Sequence, residues 1–98
     1  MPIETRGIQK KHVFVTGRVQ GVWFRAWTEQ QAKELVLSGW VRNREDGRVE
    51  VVIAGLPPAI SSMLKRLHQG PPAAKVQGVE VAEWTGDVTP GFHQKPTI

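Results

Sequence analysis

Asp46-Gly47 lies between two short apolar runs, Trp40-Val41-Arg42-Asn43 and Val49-Glu50-Val51-Val52-Ile53-Ala54, and this arrangement restricts the fold more than any other stretch. Glycine accepts the positive φ that a tight turn demands, and aspartate bonds readily to its own backbone, so the step predicts a hairpin of antiparallel strands. Side chains alternate across a strand, so Val49, Val51 and Ile53 share one face and Glu50, Val52 and Ala54 the other.

The flanking segments repeat one pattern on either side of that hairpin. From Lys10 to Thr16, Val13 and Val15 alternate with His12, Phe14 and Thr16, which predicts a first strand ending at Gly17. Phe24, Trp27, Thr28, Gln31, Ala32 and Leu35 then recur at helical spacing, predicting a helix from Phe24 to Leu37 with Gly39 as its stop. Glu29 and Lys33 form an i, i+4 pair worth about 0.2–0.5 kcal/mol on that helix. Beyond the hairpin, Gly55-Leu56-Pro57-Pro58 opens a second helix with the stripe Ile60, Met63, Leu64 and Leu67, and Gly70-Pro71-Pro72 closes it. A fourth strand reads from Lys75 to about Trp84, with Gly78 marking a bulge, and Pro90-Gly91 turns the chain into a short last segment around Phe92. Residues 1–9 show no periodicity and are expected to form a loose tail before a single domain over residues 10–98.

This order predicts an α+β fold: a ferredoxin-like β-α-β-β-α-β sandwich with two helices on one face of an antiparallel sheet and a short fifth strand at the C-terminus. Enzymes, metal carriers and RNA-binding modules all use that fold, so function must be read from a site. A length of 98 residues suits one domain, and 40% hydrophobic with 22% charged residues excludes a disordered chain. No apolar stretch is long enough to cross a bilayer, and Met1 to Gly7 lack the features of a signal peptide. Absence of cysteine excludes disulfides and thiolate metal sites and makes a cytoplasmic location the default. The formal net charge of +4 favours anionic partners, and Arg42, Arg44 and Arg48 cluster around the hairpin.

Between the first strand and the first helix runs Gly17-Arg18-Val19-Gln20-Gly21-Val22-Trp23-Phe24-Arg25. Two glycines let the backbone turn tightly, so that successive N–H groups converge on one point, and the helix that follows adds its unpaired N–H groups and dipole. Arg25 brings a planar, permanently charged fork that matches two phosphate oxygens. Alone, an arginine at a helix start is more often a surface residue that opposes the dipole, and Asn43 before a hairpin is more often a turn residue. His12, His68 and His93 sit in separate elements without metal-ligand spacing and read as structural. Trp23, Trp27, Trp40 and Trp84 are expected mostly in or beside the core, and Ser61 and Ser62 show no nucleophile–base pattern.

The Gly17–Arg25 segment, followed by Gly39-Trp40-Val41-Arg42-Asn43 and Asp46-Gly47-Arg48-Val49-Glu50, resembles the signature segments of the acylphosphatase family, over about residues 10 to 92. The resemblance implies hydrolysis of the carboxyl–phosphate bond of small acyl phosphates to a carboxylate and inorganic phosphate, without a metal or other cofactor. It also implies that Arg25 binds the phosphate, that Asn43 positions the attacking water, and that the N–H groups of Gln20, Gly21, Val22, Trp23 and Phe24 complete the cradle. The expected partners are a small acyl phosphate and inorganic phosphate or similar anions; neither a membrane nor nucleic acid is expected, and the protein is expected to be a monomer. A non-catalytic anion- or RNA-binding module on the same fold is the alternative, but the third strand, Arg48 to Ala54, carries no exposed aromatic signature of RNA recognition. A regulatory domain of a larger enzyme is a third reading, disfavoured by the start at Met1 and the lack of a long linker. Two positions depart from the family pattern. Val36 stands where many members have glycine, which is expected to affect the helix end rather than chemistry. Gln94 and Pro96 interrupt what is commonly an apolar-alternating last strand, so strand five is expected to be short or frayed.

Overall fold

The computed structural model describes residues 7–98. Its elements are β1 (Gln9–Arg18), α1 (Phe24–Glu34), β2 (Ser38–Asn43), β3 (Val49–Gly55), α2 (Pro57–Gln69), β4 (Lys75–Glu83) and β5 (Phe92–Gln94). They form a ferredoxin-like α+β fold whose five-stranded sheet has the order β4-β1-β3-β2-β5. β3 lies antiparallel between β1 and β2, and β4 is antiparallel to β1. β5 runs parallel to β2, so the sheet is mixed rather than wholly antiparallel. Most of the expected tail, residues 1–6, lies outside the described residues, and β1 already begins at Gln9.

The alternation of valines decides which face the helices cover. Val13, Val15, Val41, Val49, Val51 and Ile53 point to one side, where they meet Phe24 and Ala32 of α1 and Ile60, Met63 and Leu67 of α2 in one buried cluster. Fully burying each such side chain contributes about 1.5–3 kcal/mol, which offsets the cost of ordering the chain. The opposite face is also closed. All seven residues of β3 are buried: Val49, Val51 and Ile53 pack under the helices, and on the other side Trp84 stands edge-on to His12 and Trp40, the two register partners of Val52. On this same side Glu50, only 4% exposed, bonds to His12 Nε2 at 2.6 Å, Arg42 Nε at 2.7 Å and Arg44 at 3.2 Å.

Three local details differ from the sequence expectation. α1 ends at Glu34 rather than Leu37, because Val36 takes a left-handed φ of 56° and turns the chain. Gly39 is therefore not the helix stop. It lies inside β2, where a Cβ would stand 1.8 Å from the Val52 carbonyl oxygen. The bulge in β4 falls at Gln77, next to Gly78, where the register against β1 shifts between Thr16 and Gly17. β5 has only three residues, but its support continues: Lys95 N–H donates to the Val41 carbonyl at 2.8 Å and Ile98 N–H to the Asn43 carbonyl at 3.2 Å, on either side of Pro96.

Candidate active site

Three carboxyl-terminal strand ends, those of β1, β2 and β5, lie beside the N-terminus of α1, and a crevice opens there. In open α/β and α+β sheets such crevices outside strand ends are where ligands sit. Gln20, Gly21, Trp23, Phe24, Arg25 and Asn43 line this cavity of about 490 Å³, together with Val19, Ala26 and Gln94. Of the residues the sequence named for the cradle and the water, only Val22 does not line it. Val22 is half-buried against the core instead.

The loop backbone has the form of an anion nest. Gly21 at φ 72° and Trp23 at φ 65° are left-handed, whereas Gln20 and Val22 are not, and this alternation turns consecutive N–H groups to one side. Among the described residues, no backbone carbonyl accepts from the N–H groups of residues 20–23. The helix begins directly afterwards at Phe24, so Arg25 sits in its first turn with the positive dipole end. Among the described residues Arg25 has no ion-pair partner.

Asn43 ends β2, where its register partner is Val49 and its carbonyl accepts from Ile98 N–H. Its side-chain Oδ1 is buried and has no hydrogen-bond partner among the described residues. A buried carbonyl with no donor costs about 1–3 kcal/mol, and a hydrogen bond from a bound group offsets that cost. Gln20 ties the nest to this strand: its Nε2 donates to the carbonyls of Arg44 at 2.7 Å and Arg48 at 2.8 Å. Arg48 N–H and guanidinium both bind the Asp46 carboxylate, closing the turn around Gly47 at φ 101°.

Two features escaped the sequence reading. The Gln94 side chain joins the cavity wall, and its Nε2 donates to Glu29 Oε1 at 2.8 Å. That bond first, then the ion pair with Lys33 at 2.9 Å, hold the Glu29 carboxyl below its usual range. The only hint of this was a polar residue where an apolar one was expected. Trp23 is the exception among four tryptophans expected mostly in or beside the core: it is 83% exposed, on a left-handed backbone at φ 65°.

The fold is a small ferredoxin-like α+β sandwich in which a glycine-containing loop, an arginine at a helix start and a nearby carboxamide line one cavity. A family model described as Acylphosphatase matches residues 11–94. An acylphosphatase of Rhizorhabdus wittichii is 51% identical over 88 residues, covering 90% of this chain and 89% of that protein. The structure of an acylphosphatase from Coxiella burnetii superposes with a TM-score of 0.92 at 36% identity, covering 97% of this chain and all of that one (100%). The crystal structure of acylphosphatase from Bacillus subtilis gives a TM-score of 0.83 at 35% identity, covering 90% and 98%. The chain belongs to the acylphosphatase family, and it is an enzyme of that family. Among the described residues, no helix is long and apolar enough to cross a membrane.

Proposed function

We propose that this protein hydrolyses small acyl phosphates by holding the phosphoryl group on the N–H groups of Gln20 to Phe24 and on Arg25, while Asn43 positions the attacking water. The observation that carries this reading is the shared cavity: loop residues of the nest, Arg25 and Asn43 line one space. Arg25 beside the positive helix end is mildly unfavourable alone, and an anion between them reverses the sign of that interaction.

The water oxygen attacks phosphorus as the bond from phosphorus to the acyl oxygen breaks, and the electron pair leaves with the carboxylate. A carboxylate is a stable leaving group, so the main requirement is to neutralise charge on the phosphoryl oxygens, which amides and guanidinium do without reorganising. The Asn43 oxygen accepts one water proton as a hydrogen bond and fixes the line of attack. Being neutral, it is no base, and the proton passes to solvent or to the phosphate formed. In this reading the protein acts as a cytoplasmic monomer on free small molecules.

Phosphate release from acetyl phosphate, measured for wild type, Arg25→Ala and Asn43→Ala, tests the proposal. Both variants are expected to lose at least about a hundredfold in kcat/KM, and inorganic phosphate is expected to inhibit the wild type competitively. Full activity in either variant would remove that residue from the mechanism.

A further inference from the structure

We propose that a groove beside the phosphoryl cavity, walled by the Trp23 ring, receives the acyl group and selects acyl phosphates with a flat aromatic acyl moiety. The inference rests on the phosphoryl cradle described above and extends it to the other half of the substrate.

Trp23 is anomalous twice over. Its backbone is left-handed at φ 65°, ψ 22°, a conformation costly for a bulky residue and free for glycine. Strain of this kind persists where packing rewards it or where a site uses it. Packing gives little reward here, since the side chain is 83% exposed while Phe24 beside it is buried. An aromatic ring held on a strained backbone and left bare has contact surface to offer a ligand.

The groove's position supplies the ligand. It is a depression of about 640 Å³ along the outer side of α1, and it shares the Trp23 and Ala26 walls with the phosphoryl cavity. An acyl group leaving a phosphate bound at the nest meets Ala26, small enough to let it pass, then a groove lined by Trp23, Trp27 and Pro71. Charge argues against an acyl chain ending in a carboxylate. The one cation on the groove, Lys33, is already engaged by Glu29 at 2.9 Å. Remote binding of this kind lowers KM for substrates that fill the groove and does nothing for acetyl phosphate, whose methyl group is too short to reach it.

The test compares benzoyl phosphate with acetyl phosphate in wild type, Trp23→Gly, Trp23→Asn and Trp23→Phe, with thermal unfolding recorded for each. Glycine and asparagine tolerate the left-handed backbone, so both variants are expected to fold. In both, the ratio of kcat/KM for benzoyl over acetyl phosphate is expected to fall about tenfold, through KM, with Trp23→Phe restoring most of it. An unchanged ratio in folded Trp23→Gly and Trp23→Asn, with both substrates still turned over, overturns the groove and leaves the cradle standing. A wild type that releases phosphate from neither substrate overturns the cradle, and the groove with it.

Discussion

Gln20 and Arg44 are joined across 24 residues of sequence by a 2.7 Å hydrogen bond from the Gln20 carboxamide to the Arg44 carbonyl. A second bond from the same nitrogen reaches the Arg48 carbonyl at 2.8 Å, so one side chain clamps the nest to both ends of the β2–β3 turn. Arg44 directly follows Asn43, so the clamp sets the distance between cradle and carboxamide.

Gln20→Ala removes both bonds while keeping the loop N–H groups. We expect a loss of about 1–3 kcal/mol in unfolding free energy by urea titration and a fall of about tenfold or more in kcat/KM. Wild-type kcat/KM in the variant would show that the loop holds its place without the clamp.

Asn43→Ala is expected to separate activity from stability. Since Oδ1 has no internal partner among the described residues, its removal breaks no side-chain bond there and relieves the cost of an unpartnered buried carbonyl, so the unfolding free energy should stay level or rise by about 1–3 kcal/mol. A large loss of stability would assign Asn43 a structural role instead.

Glu50 makes the fold sensitive to acid. Burial pushes its carboxyl up, but hydrogen bonds from Arg42 and His12 and their charges outweigh burial and hold it below its ordinary value of 4.5. A carboxylate lowered on folding contributes stability that is complete above its unfolded pKa and is lost as pH falls through the folded one. Unfolding by urea should therefore become easier as pH drops below about 4.5. Glu50→Gln should be less stable than wild type at pH 7 by about 1–3 kcal/mol and show a flatter acid dependence. Equal acid dependence in both proteins would place the effect on other carboxylates.

Val36→Gly should stabilise the protein. A β-branched residue at φ 56° carries about 1–3 kcal/mol of strain, and its side chain is 87% exposed, so little packing is lost. Glycine returns about 0.5–1 kcal/mol through the unfolded chain, leaving a net gain of about 1 kcal/mol. Urea unfolding with unchanged phosphate release would match this expectation, and a destabilised variant would contradict it.

Repeating chemistry made most of this molecule legible before its structure. Period-two valines and period-3.6 apolar stripes are local consequences of backbone geometry, and they located both helices and four strands within a few residues. The end of α1 was misread because a valine occupies the left-handed position that usually announces itself as glycine. The closed second sheet face was missed for a different reason. Trp84 reaches His12 and Trp40 only through a connection that crosses from one sheet edge to the other, and no short-range pattern encodes such a path.

By itself, then, the order of residues determined which segments are strands and helices, where the glycine-containing loop lies, and that Arg25 opens a helix. Those outcomes follow from spacing along one segment. Tertiary structure alone decided that Asn43 reaches the same cavity as the loop, that Gln20 clamps the two, and that Gln94 closes the wall. Each of those depends on pairings between distant strands, whose geometry exists only once the sheet has formed.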